Sequence, residues 1–178
     1  KIKSNKHIFD YIYLTGITLS LLEVKNIHKL INLINSYKKN NSKIIFDLNI
    51  RPNRWSKNNL VSYLNKILPK IDILFASGED VEYWKGSNKV SNFEGIINTF
   101  NIPHGVYRKN AQLNYSFYYS KKFVVKNKYI KKVLDTSGAG DGYNAAYISD
   151  FLKNFNPLKA MKKASKVGAK IVMKKGAI

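Results

Sequence analysis

The chain has 178 residues, of which 44% are hydrophobic, a size and content that suit one domain with a real core, taken here as residues 1–178. It contains no cysteine, which excludes a disulfide framework and a thiolate metal site. No apolar run reaches membrane-spanning length and the basic N-terminus lacks the apolar stretch of a signal peptide, so a cytoplasmic protein without membrane contact is the expectation. The formal net charge of +20 invites a nucleic-acid reading. Nearly all of that charge is lysine, with Arg51, Arg54 and Arg108 the only arginines. The lysines are scattered or in short pairs such as Lys38-Lys39 and Lys162-Lys163, and asparagine and isoleucine are enriched with them. That combination fits a bias toward AT-rich codons, so no specific nucleic-acid partner is expected.

In chain order, Ile8 to Leu14 reads as a buried strand ending at Thr15-Gly16. Leu19 to Tyr37 carries apolar residues at helical spacing (Leu22, Ile27, Leu30, Ile31, Ile34). Lys43 to Leu48 is a short apolar strand. Leu60 to Leu68 reads as a helix closed by Pro69, Ile71 to Ala76 as a strand, and Glu79-Asp80 as an acidic helix start. Phe93 to Phe100 is a further helix, and strand-like alternation runs from Val106 through Val125. Lys126 to Leu134 reads as extended, and two helices close the chain, Gly142 to Leu152 and Pro157 to Met173. Strands alternating with helices predict an α/β fold with a mostly parallel sheet. Ligands in such folds sit beyond the carboxyl ends of the strands, where Gly16, Asn49, Arg51, Ser77, Asp80 and the loop before Asp141 fall.

Two stretches carry chemistry. The run Asp135-Thr136-Ser137-Gly138-Ala139-Gly140-Asp141 places small residues at a predicted helix N-terminus. Bare N–H groups and the helix dipole there favour an anion. A carboxylate in the same place can take a proton from a hydroxyl, the minimum equipment for phosphoryl transfer to an alcohol. The competing reading is an ordinary glycine-rich strand-to-helix turn. In Phe46-Asp47-Leu48-Asn49-Ile50-Arg51-Pro52-Asn53-Arg54-Trp55, alternation predicts that Asp47, Asn49 and Arg51 point the same way before proline turns the chain. Arg51 is then a fork for a carboxylate, either a ligand's or a structural one.

The first stretch resembles the D-T-x-G-A-G-D signature of the ribokinase-like (PfkB) carbohydrate kinases. The second resembles the F-D-x-N-x-R-x-x-L-W segment of 2-keto-3-deoxygluconate kinases, and Asp10 to Ile17 and Gly176-Ala177-Ile178 are similar to other parts of that subfamily. The resemblance implies a ribokinase-like three-layer sandwich whose N-terminal portion and β-lid are missing. It implies ATP as donor, Mg2+, in some relatives a monovalent cation, and a sugar or sugar-acid substrate. By resemblance Asp141 is the base, and Gly138, Ala139 and Gly140 form the anion hole. Arg51 and Asn49 hold the substrate. Thr136, Ser137, Arg108, Asn110 and Ser77 lie toward the nucleotide, and Gly168, with Ala164, walls the adenine or simply packs.

The pattern is also broken. The N-x-x-E positions of the family fall on Ser77 and Asp80, with Glu79 and Glu82 nearby, so Asp80 and Glu82 are the metal-site candidates. The competing reading there is an acidic helix start favoured by the dipole. The K-x-G-x-x-G segment reads Arg108-Lys109-Asn110-Ala111-Gln112-Leu113. Asn110 tolerates positive φ and is expected to keep the turn that way. Asn144 is assigned either to support of the site or to the helix surface, and His7, His28 and His104 have no ligand spacing. The resemblance implies a homodimer or association with a separate N-terminal segment. A non-catalytic remnant of a sugar kinase and a basic nucleic-acid binder remain the rival readings.

Overall fold

The computed structural model describes residues 9–23 and 26–176. The expectations placed on His7, Ile8, Ala177 and Ile178 lie outside the described residues. The single domain expected from sequence divides into two compact units, Lys1–Gly105 and Val106–Ile178. No linker composition marks this division because it falls within a strand.

In the first unit, β1 (Tyr11–Thr15), β2 (Lys43–Asp47) and β3 (Ile73–Ser77) pair in parallel. Tyr13 lies beside Ile45, and Ile45 beside Ile73. Parallel strands covered on both faces read as continuous apolar runs, and Ile44, Ile45, Phe46, Leu74 and Phe75 of β2 and β3 are all buried. Strand β1, expected to be buried, is not: Tyr11 and Tyr13 are exposed and Ile12 and Leu14 half-buried, because an apolar run rich in tyrosine also suits a partly solvated strand. Asp72 fixes the entry to β3: its carboxylate accepts from the Ile44 amide at 2.8 Å and from Lys38 Nζ at 3.0 Å. The helices are α1 (Gly16–Ser20), α2 (Ile27–Lys39), α3 (Lys57–Ile67), α4 (Gly78–Lys85) and α5 (Val90–Thr99).

The helix expected over Leu19 to Tyr37 is therefore two helices. The step from Leu22 to Ile27 is five residues, too long for one continuous apolar stripe, and Asn26 turns back onto the Glu23 carbonyl at 2.8 Å. Helix α3 begins earlier than its apolar pattern because Ser56 caps it, accepting from the Asn59 amide. Pro69 closes α3 through a short 3-10 turn, as expected.

The strand β4 (His104–Arg108) crosses the division between the units. In the second unit β5 (Leu113–Tyr118) and β6 (Lys121–Lys126) form an antiparallel hairpin, with Tyr115 opposite Val124. The alternation read from Val106 to Val125 is thus broken into separate strands. Tyr119, at φ 50°, makes the tight turn between β5 and β6. The stretch after Lys126, expected to be extended, joins no strand.

Helices α6 (Ala139–Asn154) and α7 (Pro157–Ile171) pack on each other, and Asp150 meets Lys163 at 3.3 Å. Tyr143, Tyr147 and Phe151 recur at i, i+4 along α6 and stack as a column of rings. Asn156 caps α7, accepting from the Lys159 amide, and Pro157 takes the first helical position.

His104 is 2% exposed, and burial pushes its pKa down to about 3. The folded state therefore holds it neutral while the unfolded chain takes up a proton below about 6.5. Its contribution is full above that value and is lost as the pH falls toward about 3. Between pH 7 and pH 5 the loss is about 2 kcal/mol. Urea midpoints at the two pH values should differ accordingly, and a His104→Leu chain should show a flatter profile; an unchanged profile would remove His104 from the account.

Candidate active site

The glycine-rich loop is held by elements far along the chain. The amides of Leu134 and Asp135 donate to the Val172 carbonyl at 2.8 and 3.3 Å. The Asp135 carboxylate accepts from the Ser137 amide at 2.8 Å and from the Gly176 amide at 3.0 Å. Those bonds, the one from Ser137 first, hold its pKa below the usual carboxylate value. Gly138 caps α6 at φ 71°, a left-handed conformation that suits glycine. This cap starts α6 at Ala139, three residues earlier than Gly142.

The expected donors of the anion hole narrow as a result. The Ser137 amide is taken by Asp135, and the Ala139 amide bonds the Thr136 carbonyl at 3.2 Å. Gly142 makes the first helical bond, to the Gly138 carbonyl at 2.8 Å. Among the described residues, the amides of Gly138, Gly140 and Asp141 remain turned to no protein acceptor. Asp141 lies in the first turn of α6 and is exposed. Asn144 is 1% exposed, so the helix-surface alternative does not hold.

Arg108, at the end of β4, comes against this loop. A Cβ at Gly140 would lie 2.6 Å from its Nη1, so the guanidinium occupies the space a side chain there would fill. Sequence reasoning placed Arg108 toward the nucleotide but missed its neighbour Tyr143, whose ring lies 5.6 Å from the guanidinium carbon. Only the aromatic at i+3 from Gly140 hinted at it. Gly168 faces the start of α6, with its Cβ position 3.7 Å from the Ala139 carbonyl oxygen, and Ala164 is fully buried. Both placements fit the packing alternative of the sequence reading.

The β4–β5 turn is rebuilt rather than lost. Asn110 does not adopt positive φ; among the described residues the non-glycine cases are Asn41, Asn49, Asn101, Tyr119 and Phe155. Its side-chain oxygen instead accepts from the amides of Gln112 at 3.0 Å and Leu113 at 2.8 Å. Asn127 holds the same turn, donating from its backbone amide to the Gln112 carbonyl and from its side chain to that of Ala111.

The first unit carries the other candidates. Strand β2 ends at Asp47, and Asn49 adopts φ 34°, so the expected alternation of Asp47, Asn49 and Arg51 is interrupted. Asp47 is buried while Arg51 is exposed. Pro52 opens a short 3-10 turn directly after Arg51. Ser77 and Asp80 form a capping box on α4: Asp80 Oδ2 accepts from the Ser77 amide and hydroxyl, both at 2.7 Å. Asp80 Oδ1 accepts from the Ile50 amide at 2.6 Å. This carboxylate therefore fixes the segment bearing Asn49 and Arg51, and three of its roughly four acceptor positions are used. Glu82 is exposed on α4. No cluster of three or more acidic, histidine or cysteine ligands occurs among the described residues.

A capped helix start with open amides, an exposed first-turn carboxylate and a guanidinium against Gly140 is an arrangement that can accept an anion, on an α/β scaffold. Residues 7–178 match the pfkB family carbohydrate kinase profile, and the chain belongs to that family. It is 28% identical over 173 residues to the 2-dehydro-3-deoxygluconokinase of Haemophilus influenzae, covering 95% of this chain and 55% of that protein. The enzyme of the same name from Escherichia coli K12 is 28% identical over 175 residues, covering 96% and 56%.

Among solved structures, the 2-dehydro-3-deoxygluconokinase of Thermotoga maritima superposes with a TM-score of 0.79 at 20% identity, covering 95% of this chain and 56% of that one. A fructokinase from Vibrio cholerae, solved with fructose, ADP and calcium, gives 0.80 at 22%, covering 94% and 56%. These likenesses establish the ribokinase-like fold. The chain spans about half the length of the curated relatives it matches.

Proposed function

We propose that this chain carries the phosphoryl-transfer portion of an ATP-dependent sugar kinase whose substrate is 2-keto-3-deoxygluconate or a related sugar acid. The observation that carries this reading is the loop itself: Gly138 as a left-handed cap, open amides at Gly140 and Asp141, and Arg108 against Gly140. Asp141 takes the proton of the attacking hydroxyl. The open amides and the guanidinium hold the charge that develops on the transferred group. Arg51, exposed beyond β2, is assigned to the sugar carboxylate and Asn49 to the sugar by their places in the family segment.

The residues present fit magnesium only as a sparse site, consistent with an ion that takes one or two carboxylates and leaves the rest to phosphates and water. Glu82 is exposed for that role, and Asp80 has one acceptor position left. When bound, the ion neutralises phosphate charge. Partner association, as a homodimer or with a separate N-terminal segment, belongs to this same reading. A non-catalytic relative is the second reading, favoured by the commitment of Asp80 to its capping box.

The test is ADP release with ATP and Mg2+, comparing 2-keto-3-deoxygluconate with fructose, for the wild type and Arg51→Ala. Release that depends on the acid sugar is expected. Loss of one charge-assisted pair should raise the Arg51→Ala KM for that sugar about tenfold or more and leave fructose unaffected. ADP binding without release for any sugar would favour the non-catalytic relative.

A further inference from the structure

The loop's guanidinium is placed by a residue to which no role has been assigned. Arg108 is half-buried at the end of β4, and its Nη1 fills the space above Gly140. Its guanidinium carbon stands 5.6 Å from the Tyr143 ring centre, inside the range of a cation–π contact. That ring is 4% exposed and stacks on Tyr147 at 6.4 Å and 17°. Tyr147 stacks in turn on Phe151 at 5.9 Å and 17°. The face offered to Arg108 is therefore the end of a packed column running along α6. Burial also pushes the Tyr143 hydroxyl pKa up, so the ring stays neutral beside the cation. The family's glycine-bearing turn is replaced here by one closed through the Asn110 side chain.

We propose that Tyr143 is a positioning residue that holds Arg108 against Gly140, so that the loop meets the phosphates of a nucleoside diphosphate or triphosphate with a pre-oriented guanidinium. This rests on the kinase reading given above. A planar guanidinium stacked on an aromatic face has fewer orientations to lose when it forks onto phosphate oxygens. Two residues that act as one unit should show strongly non-additive effects when both are removed.

The experiment is calorimetric titration of ADP into the wild type, Arg108→Gln, Tyr143→Leu, Tyr143→Phe, Tyr147→Leu and the Arg108→Gln/Tyr143→Leu double variant. Arg108→Gln and Tyr143→Leu should each weaken ADP about tenfold, and the double variant should be within about twofold of Arg108→Gln alone. Tyr143→Phe should restore binding to within about twofold of wild type, because the ring face remains. A Tyr143→Leu affinity equal to wild type, or single losses that multiply in the double variant, would overturn the proposal. So would an equal loss in Tyr147→Leu, which perturbs the column one turn away from Arg108.

A second measurement serves if Tyr143→Leu does not fold. The Arg108 side-chain NMR resonances should be ring-current shifted in the wild type and in Tyr143→Phe, and should move on adding ADP. Resonances at ordinary positions that ignore ADP would sink the idea. Absence of ADP binding in the folded wild type would instead defeat the nucleotide reading, and this inference with it.

Discussion

Replacing Asp141 by Asn should lower sugar-dependent ADP release by about 10^2 to 10^4-fold while leaving ADP affinity nearly unchanged. Asn keeps the size and hydrogen-bonding reach of the side chain but takes up no proton. Asp141 sits in the first turn of α6, exposed, beside the open amides of the loop. A carboxylate at that position also favours the helix through the dipole, by about 0.3–1 kcal/mol. The two roles separate in one pair of assays. A base lost without a helix lost gives a large fall in kcat with a melting temperature shifted by no more than roughly 4 °C. A modest fall in rate that merely tracks the loss of stability would demote Asp141 to a helix-start acid.

Gly16→Ala should be the most damaging single methyl group in the described part of the first unit. The Cβ it introduces would lie 1.9 Å from the Leu48 carbonyl oxygen, and that atom is backbone. A side-chain end can swing away from such an overlap, whereas this carbonyl belongs to the run from β2 into Asn49 and Arg51. That run is itself anchored, since the Leu48 amide bonds the Phe75 carbonyl and the Ile50 amide bonds Asp80. We expect a loss of about 3 kcal/mol and a fall in melting temperature of roughly 6–12 °C. Gly95→Ala is the contrasting case. Gly95 lies inside α5, and nothing occupies the 4 Å around its Cβ position. Alanine there should stabilise the chain by about 0.5–1 kcal/mol. Thermal melts of the two variants moving in the same direction would contradict the packing seen at Leu48.

The contrast bears on what could be read in advance. The helix start at the glycine-rich loop was legible because its signal is local: glycine where a left-handed cap is needed, and an acid in the first turn of the helix. Strands β2 and β3 were legible for a similar reason, since burial leaves an uninterrupted apolar run, whereas the tyrosines of β1 looked equally apolar and are exposed. Contacts across long sequence separations were not. Nothing around Asp135 announces a bond to Gly176, and nothing around Asp80 announces a bond to Ile50. The motif showed Asp80 as a candidate metal ligand and gave no sign of its bonds to Ser77 and Ile50.

The alternation expected through Asp47, Asn49 and Arg51 failed for a related reason. Periodicity assumes that a strand continues, and one asparagine at φ 34° ends it. Asn110 is the converse, a residue expected to hold its turn through backbone freedom that holds it through a side-chain oxygen instead.

The bonds from Leu134, Asp135 and Gly176 have a consequence for how the protein is made. A ribosome delivers the chain from its N-terminus, and the glycine-rich loop emerges well before the residues that anchor it. Its ordered form waits for Val172 and Gly176 to be synthesised and for α7 to settle on α6. On a nascent chain stalled before residue 172 the loop would be present in covalent form yet unlatched. The latched form of the loop is thus acquired late in synthesis, after the parallel strands of the first unit are already available to fold.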